Sequence, residues 1–108
     1  MIINSRYEIT EVEKVDITVI DEGFLDVKGI LNGNICVNGN GELLITGMVN
    51  GNIVINKFSK TKITGMVNGT VKNMSKLLVT GIINGKVIDI DGGESIFEKG
   101  SIIDNVKY

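Results

Sequence analysis

Histidine, proline and tryptophan are absent from this 108-residue chain, cysteine occurs once, and aromatic residues make up 5% of it. Each shortage excludes something. Without histidine there is no imidazole base to activate a serine or cysteine nucleophile, and no imidazole to ligate zinc. The single Cys36 can form no internal disulfide and has no histidine to activate it as a nucleophile, so it reads as a small residue on a strand. With so few rings, the core has to be built from Ile, Val, Leu and some Met. No apolar run approaches the roughly 20 residues of a membrane helix. The opening Met1-Ile2-Ile3 is too short an apolar region for a secretory signal, which leads us to expect a cytoplasmic setting. A net charge of -2 argues against nucleic acid as a partner.

What is present is a repeat. Thr46-Gly47-Met48-Val49-Asn50-Gly51 returns as Thr64-Gly65-Met66-Val67-Asn68-Gly69 and as Thr80-Gly81-Ile82-Ile83-Asn84-Gly85. A weaker copy, Lys28-Gly29-Ile30-Leu31-Asn32-Gly33, precedes them, so the steps are 18, 18 and 16 residues. A short fixed period signals one supersecondary unit stacked on copies of itself. Aligned on the glycines, three columns are wholly apolar: Val27, Ile45, Ile63 and Val79; Leu31, Val49, Val67 and Ile83; Ile35, Ile53, Val71 and Val87. Their positions differ by even numbers within a copy, which places them on one side of an extended chain. Eighteen residues divide into three strands of about six with a corner after each. The expected fold is therefore all-β: a single-stranded, three-sided parallel β-helix with about 18 residues per coil.

Aligning Met74-Ser75-Lys76 with Phe58-Ser59-Lys60 places the two-residue deletion near Asn73, at a corner, where length changes do not invert the side chains of a strand. An antiparallel meander is the rival, because Asn-Gly between apolar runs is a strong hairpin signal. It would put Gly29, Gly47, Gly65 and Gly81 inside strands, where glycine weakens pairing. Residues 1–14 show no repeat and read as a lead-in or cap, with the solenoid domain over residues 15–108. Val15, Ile17 and Val19 alternate with polar residues and open a partial coil. The stretch from Ser95 to Ile103 reads as a last, imperfect coil.

Few residues carry chemistry. A six-residue step through Leu25, Leu31, Val37, Leu43, Val49 and Ile55 matches hexapeptide acyltransferases, but those enzymes and the zinc-dependent hexapeptide hydratases rely on histidine. No catalytic residue, cofactor site or metal site is expected, and the protein is read as a non-enzyme. Asp89 and Asp91 flank Ile90 and read as a solvated face. Thr46, Thr64 and Thr80 supply one threonine per coil, too sparse for an ice-binding ladder. Lys57, Lys60, Lys62, Lys72 and Lys76 form a candidate basic edge, in which Lys60 and Lys76 should be neighbours on successive coils; such an edge suits an anionic lipid surface or an acidic partner. Ile30, Met48, Met66 and Ile82 alternate with a core column and form a candidate outward stripe.

A solenoid leaves two open ends, each a template for a further strand. Ile96, Phe97, Ile102 and Ile103 at one end, and Ile17 and Val19 at the other, are the candidate end-to-end contacts.

The phrase Thr-Gly-Met-Val-Asn-Gly-Asn-Ile-Val-Ile at residues 46–55, its copies, and the closing Gly92-Gly93-Glu94-Ser95-Ile96-Phe97-Glu98-Lys99-Gly100-Ser101-Ile102 resemble the bactofilins, over roughly Val15 to Ile103. The resemblance implies a right-handed β-helix and a bacterial cytoskeletal protein that polymerises end to end without nucleotide. It also implies that the main partner is a further copy of the chain, with the inner face of the membrane or cell-envelope proteins as additional partners. The opening apolar triplet would not anchor stably alone. The alternative function is a monomeric or trimeric solenoid that binds a ligand or protein.

Overall fold

A computed structural model describes all 108 residues. Nineteen short strands and no helix make up the chain. Eighteen of the strands wind through three sheets in turn, giving six coils. Sheet 1 stacks Ile2–Ile3, Ile17–Val19, Ile35–Val37, Ile53–Ile55, Val71–Asn73 and Val87–Asp89. Sheet 2 stacks Arg6–Ile9, Phe24–Val27, Glu42–Ile45, Lys60–Ile63, Lys76–Val79 and Glu94–Phe97. Sheet 3 stacks Val12–Lys14, Ile30–Asn32, Met48–Asn50, Met66–Asn68, Ile82–Ile83 and Ile102–Ile103. Every pairing among these eighteen is parallel, so the fold is a three-sided β-solenoid and the meander is ruled out.

The register follows the repeat. Ile45 pairs with Val27 and Ile63, Val49 with Leu31 and Val67, and Ile53 with Ile35 and Val71. These columns belong to one continuous cluster of 21 buried apolar side chains along the axis. Burial of each contributes roughly 1.5–3 kcal/mol before chain entropy is charged against it. The repeat glycines answer to stacking and not to turn geometry. A Cβ on Gly47 would overlap the Gly29 carbonyl oxygen of the coil below, and one on Gly65 would overlap that of Gly47. Only Gly92 and Gly100 among the glycines take a positive φ. Side chains at the corners extend the ladders: Asn34 Oδ1 accepts the Asn52 N–H at 2.8 Å, and Asn52 Oδ1 accepts that of Thr70 at 3.0 Å.

The deletion lies where the alignment puts it. Between sheets 1 and 2 the fourth coil spends residues 56–59, whereas the fifth crosses on Met74 and Ser75 alone. Asn73 makes the short crossing possible. It sits fully buried at a position that is Val37 and Ile55 in the coils below. Its Oδ1 accepts the Ser75 N–H at 3.0 Å, and its Nδ2 donates to the Glu94 carbonyl at 3.0 Å.

Two expectations need correction. Residues 1–14 are no separate lead-in: Ile2–Ile3, Arg6–Ile9 and Val12–Lys14 form a complete first coil in register with the second. The repeat is hidden there because a terminal coil has a neighbour on one side only, and its inward positions accept Tyr7 and Glu13. Val15 lies in a corner, and the strand starts at Ile17. At the other end, Val106–Lys107 folds back antiparallel on Ile102–Ile103 through Asp104 and Asn105, both at positive φ (49° and 65°), the geometry of a two-residue hairpin turn.

Candidate interaction surfaces

Sheet 3 turns a nearly uncharged surface outward. Ile30, Met48, Met66 and Ile82 stand in register as expected, half-buried, and the column is continued by Val12, 63% exposed, and by Ile102. Beside it runs an amide ladder in which Asn50, Asn68 and Asn84 each donate to the asparagine of the coil below at 2.7–2.8 Å. On the other flank Thr46 and Thr64 donate to the carbonyls of Val27 and Ile45. Their hydroxyls serve the corner.

The lysines do not form one edge. Lys60, Lys62 and Lys76 share the outer face of sheet 2, with Lys60 paired to Lys76 as expected. Lys72 lies on sheet 1 between Val54 and Ile88, and Lys57 stands on the corner between the two sheets. The corners turn the chain through three directions, so closeness in sequence does not give a common face. Across sheet 2 the three lysines, with Glu42 and Glu94, border a shallow groove of about 530 Å³ floored by Leu44 and Leu78 and extended by Phe24 and Ile96, the last 62% exposed. Asp89 ends a strand and Asp91 sits in the following corner at φ 50°, so the two share no strand face.

The candidate end residues are dispersed. Ile17 and Val19, 1% and 0% exposed, lie one coil inside the N-terminal end, under the first coil. Ile103 is core and Ile102 belongs to the sheet 3 stripe, while Ile96 faces outward from sheet 2. In the open-edged last strand of sheet 2, Ile96 thus turns outward and Phe97 inward. Phe97 packs half-buried against the core and is covered by Tyr108, ring centroids 4.9 Å apart and tilted by 59°.

The N-terminal end is closed by polar groups. Tyr7 Oη donates to both Glu13 carboxylate oxygens, at 2.8 and 3.1 Å. That hydrogen bond, then desolvation and the adjacent negative charge, raises the phenol above its ordinary range. On the outer face Arg6 and Lys28 converge on Glu8 and on Asp26, and Arg6 lies over the Phe24 ring at 5.0 Å. Hydrogen bonds from Arg6 and then Lys28 hold the Glu8 carboxyl below the usual carboxylate range. Asp26 is 3% exposed and its Oδ1 has no protein partner.

One residue was not singled out by sequence. Phe58 is 79% exposed and sits at φ 67°. It stacks on Asn40, itself at φ 60°, whose N–H donates to the Phe58 carbonyl. The signal was an aromatic residue aligned with an asparagine, since asparagine tolerates the left-handed region and a bulky side chain does not.

Comparisons with protein-family models, with curated proteins and with solved structures found no match to this chain.

Proposed function

We propose that this protein is a non-enzymatic scaffold that assembles end to end into filaments, as its resemblance to the bactofilins implies. The observation that supports this reading is the state of the ends. The three strands of the first coil are paired on one side only, and so are Val87–Asp89 and Glu94–Phe97 in the last. Unpaired N–H and C=O groups along a strand favour the addition of another strand. Stacking N-terminal on C-terminal ends would continue sheets 1 and 2 directly, with the Val106–Lys107 hairpin meeting the first strand of sheet 3. Repetition of such a head-to-tail contact gives an open filament and needs no nucleotide.

The lysine-bearing face of sheet 2 remains outside this contact, available to the anionic inner face of a membrane or to acidic cell-envelope proteins in a cytoplasmic setting. The groove on the same face favours a second reading, a binding module that works as a single solenoid.

Electron microscopy and sedimentation of the purified protein, with circular dichroism as a folding control, decide between the two. Filaments are expected for the wild type, and short particles for Tyr7→Glu and Phe97→Arg, which put an unpaired charge into either end contact, the first beside the Glu13 carboxylate. A wild type that stays monomeric at high concentration overturns the filament reading. Filaments unaffected by both substitutions would move the contact away from the ends.

A further inference from the structure

The fifth coil crosses from sheet 1 to sheet 2 on two residues, while the fourth and sixth coils on either side spend four, residues 56–59 and 90–93. The solenoid corner therefore carries a notch, a hollow of about 370 Å³ floored by Met74 and Ser75. One wall bears Lys57, Phe58 and Lys60, and the other bears Asp91, Gly92 and Glu94. An exposed aromatic knob in the left-handed region thus stands beside a hole. A bulky side chain there is strained, and in water it gains nothing in return.

We propose that the notch is a self-recognition site in which two copies dock side by side and antiparallel. A two-fold axis crossing the solenoid at right angles through the notch lays Lys57 and Lys60 of one copy against Asp91 and Glu94 of the other. It also brings each Phe58 ring across the partner's Gly92. Charge selects this arrangement: the walls are opposite in sign, so antiparallel copies match and parallel copies set like against like. Shape agrees with it, since the space where a Gly92 side chain would stand is open, leaving a platform for a ring. The hollow also shares Lys60, Lys76 and Glu94 with the groove on sheet 2, so the contact can extend to Leu78 and Ile96. An acidic peptide or an anionic membrane would suit the lysine wall but be repelled by the other. The contact joins coils four to six of both copies and is independent of assembly through the ends.

Oxidative cross-linking tests it in a Cys36→Ser background. Chains carrying Lys57→Cys are mixed with differently tagged chains carrying Asp91→Cys. The mixed disulfide dimer is expected as the main product, with little from either chain alone. Phe58→Gly should abolish it without lowering the melting temperature, because glycine is relaxed at that φ. In sedimentation of the side-by-side pair, Lys57→Glu/Lys60→Glu and Asp91→Lys/Glu94→Lys should each lose association, and an equimolar mixture should regain it. The absence of the mixed dimer, equal homodimer yield, or cross-linking that survives Phe58→Gly would overturn the proposal. End contacts leave residues 57 and 91 of different copies far apart, so loss of filaments and loss of this cross-link fail separately.

Discussion

The two ends of the solenoid finish the same repeat with different chemistry. The N-terminal coil is closed by charge and hydrogen bonds: Tyr7 on Glu13 over the core, and Arg6, Glu8, Asp26 and Lys28 on the outer face. The C-terminal coil is closed by apolar packing and a hairpin, with Phe97 under Tyr108 and Val106 paired to Ile103. All three sheets keep a free edge at the first end, whereas sheet 3 is covered at the second. A coil therefore does not need its consensus side chains to join the stack; it needs one good neighbour and something to satisfy the groups left over. The ends are unlike, and in the proposed filament this would favour a directional head-to-tail contact over an identical pairing of like ends.

The largest expected effect that breaks this contrast is on the apolar end. Phe97→Ala should lower stability by about 3 kcal/mol, the lower limit for Phe→Ala in a core, because Phe97 is half-buried and its loss also frees Tyr108. Chemical denaturation measures it, and a loss below a few tenths would show that the aromatic pair closes nothing. Next comes the polar bracket beneath that end. Asn73→Ala should cost about 1–3 kcal/mol by stranding the Ser75 N–H in the short corner. Hydrogen exchange at Ser75 and its neighbours should rise selectively.

An interior position sharpens the comparison from the other side. Thr61 stands between Leu43 and Leu77 in an inward column, and its buried Oγ1 has no protein partner. Thr61→Val should raise stability by about 1 kcal/mol, since the hydroxyl that costs desolvation is removed at nearly constant shape. An unchanged or lowered melting temperature would contradict it.

The smallest effects are those of pH, and they should be confined to the first coil. Glu8 has a depressed pKa, so its contribution is present above the ordinary carboxylate range and is lost as pH falls through its folded value. Tyr7 has a raised pKa, so its contribution is present below about 10 and is lost as pH rises through the folded value. Amide exchange in residues 2–14 should increase at both extremes while residues 94–108 stay protected. Tyr7→Phe should remove the alkaline limb and leave the acid limb.

Much of the fold was legible because strand alternation and coil repetition reinforce each other. Even spacing marked Ile45, Val49 and Ile53 as inward, and the 18-residue step put Ile63, Val67 and Val71 directly above them. The deletion was placed correctly because aligning Met74-Ser75-Lys76 with Phe58-Ser59-Lys60 stacks Leu77 and Val79 on Thr61 and Ile63, the register the strands adopt. The surfaces were less legible. Ile96, Phe97 and Ile102 are close in sequence, yet they face the outside of sheet 2, the core, and the outside of sheet 3, because a strand inverts direction at each residue and a corner changes the sheet.

By itself, the sequence determined the period, the all-β class and the inward columns, since these depend on local alternation and on repetition along the chain. Only the tertiary structure decided where the stack begins, how its ends close, and that the Phe58 and Asp91 corners face one another across a gap. Those features depend on which coil lacks a neighbour and on residues 33 positions apart in sequence becoming two strand spacings, about 10 Å, apart in space. No short-range pattern in the chain encodes that distance.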